Sequence, residues 1–184
     1  MKKLLAVLIV AFMFTPAVSA KEVSGVNFLE QMKISGKNMV LNGAGLRKKA
    51  FIKVYACGLY LKEKNSDSKA IISADEPMAV KLVITTGLVT KEKMQEAMTE
   101  GFEASTNGNQ ATIQDSIDLF NNCFNDEIVK GDEFMMAYLP GTGVVVSKNG
   151  TEKGIIEGLD FKKALIGIWL GDNPIDKGLK KDML

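Results

Sequence analysis

Apolar residues along the chain fall into blocks of different period. Val26–Leu29 and Met32–Ile34 are short apolar runs that predict brief strands. Ser35-Gly36-Lys37-Asn38 reads as a turn that brings Met39–Leu41 back as a hairpin arm, and Asn42-Gly43-Ala44-Gly45 predicts a sharp change of direction. Ala50–Leu61, rich in Phe, Ile, Val and Tyr, is the strongest strand signal, and Val80–Thr86 follows as another after Asp75-Glu76-Pro77. The period then lengthens. Thr90 stands where an N-cap belongs, with Met94, Ala97, Met98 and Phe102 at helical spacing. Beyond Asn107-Gly108-Asn109, Ile113, Ile117, Phe120 and Phe124 mark a second helix. Strands return at Glu133–Leu139, Val144–Ser147 and Lys153–Ile156, the last two joined by Lys148-Asn149-Gly150-Thr151, whose Asn-Gly suits a tight hairpin turn. A helix from about Asp160 to Leu170 follows, with Asp160 as its cap and Phe161, Ala164, Leu165 and Ile168 as its buried stripe, and a shorter helix comes after Pro174. Strands and helices alternate in blocks, which predicts an α+β fold with an antiparallel sheet and helices on one face.

The first residues obey a different logic. Met1-Lys2-Lys3, an uncharged apolar run from Leu4 to Phe14, and Thr15-Pro16-Ala17-Val18-Ser19-Ala20 have the three-part pattern of a secretory signal peptide. The apolar run is too short to span a bilayer, and Val18 and Ala20 suit the −3 and −1 positions of a cleavage site. Residues 1–20 are therefore expected to be a removed leader, residues 21–184 one domain, and the destination the periplasm or the exterior. No Cys follows Ala20, so a lipoprotein attachment signal is missing.

Charge and composition narrow the chemistry. Of 23 basic residues, Lys2 and Lys3 belong to the leader, which leaves 21 against 22 acidic ones. That balance gives no electrostatic footprint for nucleic acid. The chain has no His, which removes Ser-His-Asp and Cys-His catalysis and His-ligated zinc. No cofactor or metal motif stands out. Cys57 and Cys123 could pair in an oxidising compartment, but nothing in the sequence brings them together.

Gly43-Ala44-Gly45-Leu46-Arg47 and Pro140-Gly141-Thr142-Gly143 look superficially like nucleotide loops. Both lead into strands rather than into a helix N-terminus, so turns are the better reading. Arg47 and Tyr55 are a more specific pair. Their even spacing places both on one face of an uninterrupted strand, along with Phe51, Cys57 and Leu59. A guanidinium on an apolar wall needs a partner, either an acidic residue of the chain or a ligand carboxylate or enolate. Lys49 and Lys53 share that parity, which points to a bulge or a solvated strand end. Met94 and Met98 suit either a core or an accommodating apolar pocket. Trp169 reads as a core residue whose indole N–H needs an acceptor.

Residues 43–49 followed by Phe51-Ile52-Lys53-Val54-Tyr55-Ala56-Cys57-Gly58-Leu59-Tyr60-Leu61 resemble the first core motif of the chalcone isomerase-like family. Asp132 through Tyr138, Pro140 through Gly143, Asn149-Gly150 and Ile155 through Gly158 resemble its central strands. Phe161 through Pro174 with Leu179-Lys180 resembles the closing segment of its bacterial branch. The resemblance implies an open-faced β-sandwich, in which a large antiparallel sheet curves over helices with a ligand cleft between. It carries two functional precedents. In the plant isomerases an Arg after the Gly-Ala-Gly turn polarises a flavonoid during ring closure, and Arg47 matches that position. Those enzymes use a Thr where this chain has Tyr55, and a Tyr and an Asn where it has Thr90 and Ala97. The non-catalytic branch clasps a fatty-acid carboxylate with an Arg and a Tyr, which Arg47 and Tyr55 match. The leading expectation is thus an exported, non-catalytic binder of a fatty acid or similar amphipathic carboxylate. The alternatives are an intramolecular lyase acting on a phenolic enone, with Arg47 stabilising the developing oxyanion, and a structural or partner-binding envelope protein.

Overall fold

A strand whose side chains are buried in unbroken succession must be covered on both faces, and residues 55–61 form such a run. The computed structural model describes residues 19–184; the expected leader, up to Val18, lies outside the described residues. Seven antiparallel strands form the main sheet in the order β3-β4-β5-β6-β7-β8-β9. They are β3 (Gln31–Ile34), β4 (Lys37–Lys49), β5 (Ile52–Leu61), β6 (Met78–Ile84), β7 (Glu133–Leu139), β8 (Gly143–Lys148) and β9 (Thr151–Ile156). Each strand pairs with its neighbour in sequence, so the sheet is a meander interrupted by helices. One helix, α1 (Ser68–Ser73), lies between β5 and β6, while α2 (Lys91–Thr106) and α3 (Gln114–Asn122) lie between β6 and β7. The chain continues after β9 with α4 (Leu159–Leu170) and α5 (Lys177–Met183). The expected α+β architecture, with a large antiparallel sheet and helices against one face, is the observed one.

The period-two rule assigns the two faces of β5. Tyr55, Cys57, Leu59 and Leu61 point into the main core with the helices. Ala56 and Tyr60 join Phe28, Met39 and Leu41 in a second, smaller cluster on the other face. That face is covered by a separate ribbon, β1 (Ala20–Val23) paired with β2 (Val26–Leu29). Phe28 packs so close to Gly58 that a β-carbon there would come within 2.6 Å of its ring. In the main core α4 is the most deeply buried helix, and its Phe161 begins a run of five phenylalanines, with Phe102, Phe120, Phe124 and Phe134, whose paired ring centroids lie 4.8–5.6 Å apart.

Several expectations are corrected by the structure. Asn42–Gly45 is not a change of direction: β4 runs straight through it, with a register shift between Leu41 and Gly43. The two glycines serve close approach instead. A β-carbon on Gly43 would lie 2.4 Å from the Asp182 carbonyl oxygen, and one on Gly45 would lie 2.5 Å from the Asp182 Cβ. They let α5 lie directly on β4, where Asn42 Nδ2 donates to the Met183 carbonyl at 2.8 Å. The long strand expected over Ala50–Leu61 begins only at Ile52, because Ala50 and Phe51 form a two-residue hairpin loop. Ala50 there takes a φ of 55°, the left-handed conformation that primed hairpin turns require. Phe51 projects wholly into solvent and does not join the apolar wall. Asp160 is not the cap of α4: Gly158 holds that position, and Asp160 sits in the first turn paired with Lys163 at 2.9 Å. Thr90 does cap α2, its hydroxyl accepting from the Lys93 N–H. Cys57 and Cys123 are both buried and unpaired.

One buried charge was not anticipated. Lys162 on α4 is fully enclosed, and its ammonium donates to the carbonyls of Ile71, Ile72 and Ala74 at 3.0, 2.8 and 2.6 Å. It thereby satisfies the orphan carbonyls at the end of α1, whose six residues could not hold together alone. Three acceptors match the three protons of the charged form. Desolvation works against that charge and pushes the Lys162 pKa down to about 8.

Two outcomes are expected. Gly43→Ala and Gly45→Ala should each destabilise the fold by about 1–3 kcal/mol through overpacking, whereas Gly87→Ala, with no atom near its added β-carbon, should be nearly neutral; urea unfolding of the three variants checks this. Between pH 8 and 9.5 the unfolded chain keeps the Lys162 proton while the folded chain sheds part of it, so stability should rise with pH. Lys162→Met should be less stable at pH 7 and should lack that rise. Above pH 10 the buried phenols of Tyr60 and Tyr138, pushed up to about 12, work in the opposite direction. Chemical denaturation across this pH range separates the two effects.

Candidate functional site

The short loop at Ala50–Phe51 folds β4 back on β5, so Arg47 and Tyr55 face each other as cross-strand partners. They share a face, as expected, but because of strand pairing and not because of spacing along one strand. The register shift between Arg47 and Lys48 is the irregularity that Lys49 and Lys53 implied, and both lysines are exposed at the hairpin tip.

Arg47 is 6% exposed and Tyr55 1%. The guanidinium carbon lies 5.5 Å from the centre of the Tyr55 ring, within range of a cation–π contact. Among the described residues no Asp or Glu forms an ion pair with Arg47, and its Nε is buried without a hydrogen-bond partner. Its charge is offset from a distance by Asp176, the N-cap of α5. Burial opposes the Asp176 charge, yet the backbone N–H groups of Leu179, Lys48 and Gly178, together with the Arg47 charge, hold its carboxyl below the ordinary value.

Tyr55 is fixed from behind. Trp169 Nε1 donates to its hydroxyl oxygen at 3.0 Å, which gives the indole N–H the acceptor it needs. The phenol thus accepts from inside the core while its own proton remains available. Burial raises its pKa far above the ordinary value, against the smaller lowering effect of Arg47, so the group is a donor at neutral pH and never a base. The buried Cys57 thiol two residues on is pushed up by desolvation in the same way and is inert as a nucleophile.

Arg47 opens onto a pocket of about 330 Å³ between the β4–β5 hairpin and α2. Ile52, Val54, Leu88 and Val89 supply apolar walls, and Met94 and Ala97 line it from the helix. Lys49, Lys93, Glu96 and Glu100 add charges, and Thr86 a hydroxyl. The volume falls within the usual small-molecule range of about 300–1,000 Å³. Tyr55 lies beneath Arg47 and is not among the lining residues. Met98 is buried in the core, so only Met94 of the two methionines reaches the pocket. Thr90 spends its hydroxyl on the helix cap, and Ala97 offers no polar group. Sequence reasoning missed the contributions of Glu96, Glu100 and Lys93. Their spacing with Ala97 (93, 96, 97, 100) marks one face of α2, but a charged face ordinarily reads as solvated.

The described residues contain no cluster of metal-ligating side chains, and no helix among them is long and apolar enough to cross a membrane. No curated protein matches the sequence. The crystal structure of a fatty-acid binding protein from Arabidopsis thaliana superimposes with a TM-score of 0.70 at 21% identity, over 87% of this chain and 92% of that one. The profile of the chalcone isomerase-like family matches residues 20–184. With the sheet, the helical layer and the ordered motifs in agreement, the chain belongs to the chalcone isomerase-like family.

Proposed function

We propose that the pocket above Arg47 binds a fatty acid or similar amphipathic carboxylate without transforming it, in an exported protein from which residues 1–20 have been removed. The observation that carries this reading is a buried guanidinium facing a pocket with an unpartnered Nε. An unpaired buried charge is costly, and a carboxylate would supply both countercharge and acceptors. Tyr55 supports the guanidinium from beneath with its ring face and, with its hydroxyl pinned by Trp169, holds it towards the pocket. The tail would lie along Val54, Val89 and Met94. One further fact supports a binding role: the fold neighbour from Arabidopsis thaliana is a fatty-acid binding protein.

The intramolecular-lyase alternative keeps only Arg47 as an oxyanion stabiliser. The two positions where the plant isomerases carry Tyr and Asn hold a capping threonine and an alanine, so the side chains those enzymes place there are missing. A vestigial cleft would be expected to pair its arginine internally, and Arg47 is not so paired.

Mass spectrometry of lipids extracted from the purified protein should recover a fatty acid, and Arg47→Ala should reduce recovery by about tenfold or more, the equivalent of one charged hydrogen bond. Equal recovery from a folded Arg47→Ala protein would remove the residue from the mechanism. Tyr55→Phe leaves the Trp169 N–H without its acceptor and should cost about 1–3 kcal/mol of stability, measured by urea denaturation, along with a smaller loss of fatty-acid affinity.

A further inference from the structure

The β4–β5 hairpin ends in Lys48-Lys49-Ala50-Phe51-Ile52-Lys53, and its apolar tip is not buried. Phe51 is 104% exposed, more than any other large hydrophobic residue described, and Ile52 is 43% exposed. A single exposed apolar side chain is ordinary, but these two have company. Leu88, 56% exposed, lies in the loop between β6 and α2. Ile52 and Leu88 both line the pocket, so the hairpin tip and this loop meet at its mouth. Lys93 ties the start of α2 to the same loop by donating to the Leu88 carbonyl at 3.0 Å.

The charges around this apolar tip are mostly of one sign. Residues 48–53 and 88–93 hold Lys48, Lys49, Lys53, Lys91 and Lys93 against the single acid Glu92. Glu92 lies 3.9 Å from Lys91. Glu96 and Glu100 follow one and two turns further along α2, on the pocket wall. Exposed Phe and Leu side chains on segments rich in lysine are complementary to a bilayer with anionic headgroups. The rings and branched chains enter the acyl boundary, while the lysine stems lie along it with their ammonium groups at the phosphates.

We propose that the mouth of the pocket is a membrane-docking surface, with Phe51, Ile52 and Leu88 inserting into the interface of an anionic bilayer and the five lysines holding the headgroups. Docked in this way, the pocket opens towards the lipid phase, and an amphiphile can pass between bilayer and protein without crossing water. That transfer rests on the proposed fatty-acid function, whereas the docking itself does not.

The test is flotation of the purified protein with vesicles made of equal parts phosphatidylcholine and phosphatidylglycerol, beside vesicles of phosphatidylcholine alone. The protein should float with the anionic vesicles only, and high salt should release it. Phe51→Ser should reduce the bound fraction by about fivefold, as should Lys48→Glu combined with Lys53→Glu, with folding intact by thermal denaturation. Phe51 does not line the pocket, so Phe51→Ser should still yield the fatty acid recovered from the unsubstituted protein. Arg47→Ala should lose that lipid but continue to float, which separates failure of the docking surface from failure of the binding site. Failure of the unsubstituted protein to float with anionic vesicles would overturn the proposal, as would unchanged flotation of Phe51→Ser. A dimer in sedimentation that dissociates on Phe51→Ser, without vesicle binding, would assign the patch to a second copy of the chain instead.

Discussion

A guanidinium taken out of water without a contacting carboxylate sets the terms for everything around it. Its solvation must be replaced piecemeal: the face of Tyr55 on one side, the field of Asp176 on another, and the open pocket for the rest. Each substitute needs its own support. Tyr55 keeps its orientation because Trp169 holds its oxygen, and Trp169 is buried in α4, the helix that organises the whole core. Asp176 keeps its charge because it caps α5, and α5 keeps its place because β4 has glycines where any side chain would collide. The family signature Gly-Ala-Gly-Leu-Arg is thus one physical unit, with two residues that admit the helix beside the cation and the cation itself.

The second buried cation makes an instructive contrast. Lys162 is as deeply enclosed as Arg47, yet every proton of its ammonium meets a carbonyl. It is a fastener, joining α4 to the end of α1, and nothing about it calls for a ligand. Arg47 is left incomplete. Burial alone does not distinguish a charge whose hydrogen bonds are complete from one left open; the count of its partners does.

How much of this was legible in the sequence depended on how each residue acts. Strands declared by β-branched runs, the Asn149-Gly150 hairpin and the Thr90 cap were readable because each is a local effect with a local cause. The Ala50–Phe51 loop was not, since it uses neither Gly, Asn, Asp nor Pro and places an alanine at positive φ. Asn42–Gly45 misled in the opposite direction: its glycines answer to α5, far along the chain, and not to a turn. The short helix α1 has one buried residue, Ile71, and no periodic stripe to announce it. Lys162 interrupts an apolar helix as a surface lysine would, and only the tertiary structure shows its three acceptors. Arg47 and Tyr55 can be paired from sequence by their even spacing, but the chain between them is a hairpin and not one continuous strand. A two-residue loop between antiparallel strands brings the same two side chains onto the same face.

The way Asp176 reaches Arg47's neighbour has a consequence for the order in which the site holds together. Arg47 and Tyr55 are joined across a hairpin, eight positions apart, so their contact closes a minimal loop. The bond from the Lys48 N–H to Asp176 spans 128 positions. Four doublings of loop length separate the two closures, and the entropy of the longer one is greater by roughly 2.4 kcal/mol. From the unfolded chain the cation and its aromatic partner are therefore the cheap pair to bring together, and the helix that supplies the compensating charge is the costly one to recruit.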